Sequence, residues 1–167
     1  GRVRSSMIRP TGSSSAAIVA GLLAGLCLSG HRLEVQGKEE LLQLASGMEG
    51  HPDNVAPCIY GGIQLSIYSE TMKRYKTERL PLPHELVCVC FIPELGVNAP
   101  GKKTEALRKV VPSQVSMKDA VSQTAHFGFF VHALLTGKIQ NIREGLEDRF
   151  HQRQRGEAVY KHLLPMI

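Results

Sequence analysis

From Ala16 to Leu28 the chain runs thirteen residues without a charge or a proline, and Ser13-Ser14-Ser15 stand directly in front of that run. Serines are ordinary helix starters, Ala, Ile, Val and Leu fill the middle, and Gly30 follows the end, so the pattern predicts a helix over Ser13–Leu28. A helix apolar nearly all round belongs in a core, and Gly21 and Gly25, four apart, predict the close approach of a neighbouring element. The run falls short of the roughly 20 residues that a membrane span needs, so no membrane is expected as a partner. No secretory signal is expected either, because the serines precede the apolar run and no cleavage site follows it.

The remaining composition fits a soluble globular protein: 43% of the 167 residues are hydrophobic and 21% charged, enough for one domain or pieces of two. The formal charge of +5 favours anionic ligands such as phosphates and carboxylates. The cations are scattered, with no zinc-finger, RNP-type or basic-helix pattern, so nucleic acid is not expected as a partner. Cys27, Cys58, Cys88 and Cys90 form no paired Cys-x-x-Cys arrangement. Free thiols suit a reducing compartment. Gly1–Arg9 carries Arg2, Arg4, Arg9, Ser5 and Ser6 with no acid, a pattern like the end of a transit peptide. The expected location is therefore the cytoplasm or the plastid stroma.

Further along, Glu39–Met48 predicts an amphipathic helix with Leu41, Leu42, Leu44, Ala45 and Met48 inward. A polar turn from Glu49 to Asn54 breaks that pattern. Gly61-Gly62 then leads into Ile63-Gln64-Leu65-Ser66-Ile67, whose strict alternation predicts a half-buried strand. Leu80-Pro81-Leu82-Pro83 is the best internal boundary, dividing the chain into 1–83 and 84–167. Val87–Ile92 predicts a buried strand with Cys88 and Cys90 on one face, and Thr104–Val111 a short helix stopped by Pro112. Ser116 with Asp119 forms a capping-box signal for a helix to Leu135, closed by Gly137. Ile139, Ile142, Leu146 and Phe150 recur at helical spacing. The fold class is α+β, in two parts.

Two segments carry chemistry. In Gly12-Ser13-Ser14-Ser15-Ala16-Ala17, the first turn of the predicted helix has unpaired N–H groups and partial positive charge, both of which attract phosphate. A glycine there admits close backbone approach, and a serine hydroxyl can reach a phosphate-bridging magnesium ion. The same residues would equally serve as a plain serine N-cap. Without a lysine of the Walker type, the segment is not a P-loop. In Glu49-Gly50-His51-Pro52-Asp53-Asn54-Val55-Ala56-Pro57, an imidazole, a carboxylate and an amide fall within four residues of a loop. Such a set can hold a polar, hydroxyl-bearing substrate, with Asp53 orienting or deprotonating the hydroxyl. An ordinary Asx-type turn would use the same residues.

Taken together and in this order, the two segments resemble the GHMP family of small-molecule kinases, nearest its homoserine kinases. Gly12-Ser13-Ser14 match the end of that family's Gly-Leu-Gly-Ser-Ser loop. Glu49–Pro57 stands as the unbroken Glu-Gly-His-Pro-Asp-Asn-Val-Ala-Pro string. Thr104 with Arg108, Val110-Val111-Pro112, Asp119-Ala120-Val121 and Leu146–Gln152 resemble later segments. The resemblance implies an incomplete ribosomal-S5-like N-terminal half and an incomplete ferredoxin-like C-terminal half. It implies transfer of the ATP γ-phosphate to the hydroxyl of L-homoserine, with Mg2+. Gly12, Ser13, Ser14 and Ser15 would bind ATP, and Ser14 and Glu49 the metal. His51, Asp53 and Asn54 would hold the substrate, with Asp53 and Thr104 the catalytic residues. Arg108 and Arg155 would bind the substrate carboxylate. A homodimer is one assembly open to such a protein.

The sequence departs from the family in places. Pro10 and Thr11 stand where the family has Gly and Leu, Leu107 replaces Ala, Gln123 replaces Asn, and Arg153-Gln154 replace Pro-Tyr. Gly1–Arg9 does not resemble the family's preceding strand, and the C-terminal glycine-rich segment is not present. The expectation is a partial chain, inactive alone. The alternative is a non-catalytic fragment or pseudokinase acting as a binding module.

Overall fold

The first helix of the computed structural model, which describes residues 12–30, 35–84, 86–87 and 109–158, is α1, Ser13–Leu28. Its N-cap is Gly12 and none of the serines: Gly12 lies at φ 86°, ψ 21°, and no side chain bonds to the first turn. The plain serine-cap reading is thereby excluded. A residue with a Cβ is strained at that φ, and glycine is not.

The chain divides into two compact units, Gly1–Leu82 and Pro83–Ile167. In the first, α2 (Val35–Glu49) and α3 (Val55–Tyr60) pack against α1. Val19 of α1, Leu41, Leu42 and Ala45 of α2, and Val55 and Ala56 of α3 form the buried cluster, with Ile18, Leu22, Leu23 and Ile59 against it. Pro57 sits in the first turn of α3, where the N–H it lacks would have had no helical partner.

Two packing expectations change. Leu44 and Met48 of α2 are exposed, at 59% and 64%, not inward. At about 100° per residue, Leu41, Leu42, Ala45 and Ser46 already fill the arc facing α1, and Leu44 and Met48 fall outside it. Likewise, only Ser15 and Val19 of α1 are fully buried. Nothing lies within 4 Å of a Cβ built on Gly21 or Gly25, so no close-approaching element is found there among the described residues.

An antiparallel ribbon completes this unit: β1 (Ile63–Ser69) pairs with β2 (Arg74–Leu80), in register from Ile63 opposite Leu80 to Ser69 opposite Arg74. The alternation predicted for β1 is blurred. Ile67 is exposed, whereas Gln64 and Ser66 are half-buried. A polar relay explains why: Ser66 Oγ donates to Thr77 Oγ1 (2.9 Å), which donates to Gln64 Oε1 (3.0 Å), and Gln64 Nε2 donates to the Gly61 carbonyl (2.6 Å). On the outer edge of β2, the N–H of Tyr75 donates to Gln43 Oε1 (2.7 Å) and its carbonyl accepts from Gln43 Nε2 (2.9 Å).

The second unit is organised by α4 (Met117–Thr136). Ser116 Oγ accepts from the Asp119 N–H (3.0 Å) and donates to Asp119 Oδ2 (2.6 Å), while Gly137 closes the helix at φ 68°. Both ends are as the sequence predicts. A 3₁₀ turn (Ile139–Asn141) and the single turn α5 (Ile142–Gly145) follow. A Cβ at Gly145 would stand 2.6 Å from Phe130 Cα, so glycine is what lets α5 lie against α4. The helical spacing of Ile139, Ile142, Leu146 and Phe150 does not become one helix. The chain bends after α5, leaves Leu146 exposed, and starts α6 (Gln152–Ala158).

Val87 is 81% exposed and in no strand, against the buried strand expected there. The rest of that stretch, with Cys88 and Cys90, and residues 104–108 of the predicted short helix lie outside the described residues. Cys27 and Cys58 are free and exposed. No helix among the described residues is long and apolar enough to cross a membrane.

Candidate active site

The two chemistry-bearing segments meet at the start of α1. Ser13 and Ser14 are exposed there, and Ser14 Oγ donates to Glu49 Oε1 at 2.5 Å. Glu49 ends α2, so the packing of α2 on α1 brings a carboxylate to a helix N-terminus, where negative charge is favoured. The first-turn N–H groups have no carbonyl partner within the helix. Ser15 differs from its neighbours. Its side chain is fully buried, and its Oγ has no partner among the described residues. Its hydroxyl therefore does not face the loop's outer surface, which leaves its backbone N–H as the group it can offer an anion.

Gly12 closes the other side. A Cβ built on it would lie 3.2 Å from Asn54 Oδ1 and 3.4 Å from Asn54 Cβ, so the Asn54 side chain rests against the Gly12 backbone. Asn54 leads into α3, and Asp53 beside it organises the turn. Asp53 Oδ1 accepts from the Asn54 N–H at 2.8 Å and lies 2.5 Å from His51 Nδ1 and 3.5 Å from Asn54 Nδ2. All three contacts use one carboxylate oxygen. Oδ2 has no partner among the described residues, on a side chain that is 70% exposed. An acceptor oxygen left open beside an imidazole and an amide is suited to receive a hydroxyl proton or hold a hydroxyl in place.

In the second unit, Arg155 lies on α6 with its Nε buried and without a partner among the described residues. The bend before α6 is built on Asp148, a residue that sequence reasoning placed only within a matching segment and gave no role. Its Oδ1 accepts from the N–H groups of Phe150 (2.6 Å), His151 (2.7 Å) and Gln152 (3.2 Å). Burial pushes the Asp148 carboxyl upward, but those three N–H groups and the nearby His151 outweigh it and hold the group below its ordinary value. The available signal was an aspartate shortly before a helix start.

Of the residues nominated from sequence, Gly12, Ser13, Ser14, Ser15, Glu49, His51, Asp53 and Asn54 converge on one surface of the first unit. Arg155 belongs to the second unit, and Thr104 and Arg108 lie outside the described residues.

Residues 11–62, the stretch holding this whole surface, match the GHMP kinases N terminal domain. The chain is 36% identical over 151 residues to a homoserine kinase of Desulfitobacterium hafniense, covering 90% of this chain and 48% of that one. It is also 36% identical over 161 residues to a homoserine kinase of Thermus thermophilus, covering 96% and 49%. The chain is similar to GHMP-family homoserine kinases. A crystal structure of homoserine kinase from Cytophaga hutchinsonii superposes with a TM-score of 0.64 at 26% identity, over 90% of this chain and 47% of that one. The mixed helix-and-strand architecture is thus a partial GHMP kinase fold. The chain spans about half the length of the curated relatives it matches.

Proposed function

We propose that the protein carrying this chain transfers the γ-phosphate of ATP to the hydroxyl of L-homoserine, giving O-phosphohomoserine for threonine biosynthesis. The observation that carries this reading is the meeting of the two loops: Ser14 bonded to Glu49, and Asn54 seated on Gly12. A phosphate grip and a hydroxyl grip have to be neighbours for phosphoryl transfer, which depends chiefly on alignment and charge stabilisation.

In this reading the N–H groups of Ser13, Ser14 and Ser15 at the start of α1 take phosphate oxygens. Glu49 stands at the same helix end, and its carboxylate would repel those phosphates unless a cation lay between them. Ser14 Oγ and Glu49 Oε1 are hard oxygen donors 2.5 Å apart, and magnesium takes such ligands while keeping phosphate oxygens and water for the rest of its shell. The pair fits a magnesium ion, which when bound supplies charge neutralisation between phosphates. His51 holds Asp53, Asp53 offers Oδ2 to the substrate hydroxyl, and Asn54 fixes that hydroxyl against the phosphate loop. Thr104 would stand near the transferred group, and Arg108 and Arg155 would clamp the carboxylate with their planar forks.

An ADP-release assay on the full-length protein, with homoserine, mevalonate and galactose offered as acceptors, tests the assignment. Homoserine should give the highest kcat/KM; greater turnover of mevalonate or galactose would overturn the reading.

A further inference from the structure

A helix of only seven residues, α6, carries Arg155, and so short a helix is poor at holding its own first turn, because fixing that turn precedes most of the bonds that reward it. Asp148 holds it instead. One carboxylate oxygen gathers three consecutive N–H groups, those of Phe150, His151 and Gln152, and the other lies 3.3 Å from His151 Nε2, on a side chain only 12% exposed. The carbonyl of His151, fixed by these contacts, accepts the Arg155 N–H at 2.9 Å. A continuous line of contacts therefore runs from the Asp148 carboxylate through the His151 peptide to the Arg155 backbone. At its end is a guanidinium whose Nε is buried with no partner among the described residues. A buried N–H kept without an acceptor is costly unless a ligand arrives to use it.

We propose that Asp148 is a positioning residue for Arg155, setting the place of the guanidinium that receives the carboxylate of an amino-acid substrate. The identity of that ligand rests on the reading given above; the positioning itself rests only on the contacts just described. Asp148 touches no substrate in this arrangement. It acts through the peptide groups that begin α6, and removing it should let that turn fray and the guanidinium wander.

The experiment uses the full-length protein and its Asp148→Ala, Asp148→Asn, Arg155→Leu and Asp148→Ala/Arg155→Leu variants. Homoserine and ATP affinities are measured by calorimetry, and the Arg155 Nε–Hε resonance is followed by NMR. Asp148→Ala should shift or broaden that resonance and weaken homoserine binding about tenfold, the scale on which loss of an orienting partner is felt, while ATP affinity changes by less than about twofold. Asp148→Asn, which keeps an acceptor oxygen for the same N–H groups, should give an intermediate effect. In the Arg155→Leu background, Asp148→Ala should cost homoserine binding nothing more. An Arg155 resonance unmoved in both single Asp148 variants overturns the proposal, as do equal losses of ATP and homoserine affinity or fully additive losses in the double variant. If the parent protein binds ATP but no homoserine, the carboxylate role of Arg155 fails by itself. The resonance then still decides whether Asp148 positions it.

Discussion

Gly12 serves two neighbours at once. Its left-handed φ of 86° starts α1 without a side-chain cap, and its bare Cα is the surface on which Asn54 rests. Gly12→Ala therefore meets backbone strain of about 1–2 kcal/mol as well as a Cβ 3.2 Å from Asn54 Oδ1. Made in the full-length protein, the variant should lose about 1–2 kcal/mol of stability in urea denaturation and, on the proposed function, show a raised KM for homoserine as Asn54 is displaced. An unchanged denaturation midpoint together with unchanged homoserine kinetics would show that neither contact matters. At this scale the clustering was partly legible. Ser14, His51, Asp53 and Asn54 were nominated from residue types, because polar groups crowded beside a glycine and a proline advertise a loop with a task. Glu49 was nominated only by the family resemblance, and the structure brings all five to one surface. Two things were hidden. The Ser15 hydroxyl turns inward, which three adjacent serines cannot reveal, and Asp148 acts through backbone N–H groups that leave no pattern in side-chain types.

Among the elements, those whose ends carry chemical punctuation were read correctly. α1 has serines after a glycine; α4 has Ser116 before it, Asp119 in its first turn and Gly137 after it. Faces were harder, since which side of α2 is covered depends on where α1 lies, and Leu44 and Met48 carry no mark of that. The bend ahead of α6 was missed because an apolar repeat was weighed without Gly145, which crosses α4, or Asp148, which gathers the N–H groups of Phe150, His151 and Gln152. That carboxylate also gives the second unit a defined acid response. Its folded pKa is held below the ordinary value, so its stabilisation is fully present above an unfolded pKa of about 3.9. As pH falls through the folded value the stabilisation disappears. Removing this N-terminal acceptor should cost about 1 kcal/mol near neutrality. The stability gap between the parent and Asp148→Ala, measured by denaturation at pH 6 and again at pH 2.5, should narrow at the acid end. A gap of the same size at both pH values would show that the charge contributes nothing.

For the molecule as a whole, the informative surface is apolar. Among the described residues the sheet has two strands, and a lone two-stranded ribbon is marginal in water. α1 exposes Ala17, Ala20, Gly21, Ala24, Gly25 and Leu28 along its length. Residues 1–167 expressed by themselves should accordingly bind a hydrophobic dye, melt broadly, and release no ADP with homoserine. A sharp thermal transition that ATP and magnesium raise, accompanied by homoserine-dependent ADP release, would refute this. The two strands still do not leave every peptide group of their rim to chance. Gln43 offers Tyr75 the donor and the acceptor that a further strand would have offered, at 2.9 and 2.7 Å. Seen from β2, one carboxamide is a single peptide unit borrowed from a helix. A foreign chain arriving to extend the ribbon by fibril-like stacking would find that rung of the ladder already taken, and would have to evict a glutamine before it could pair.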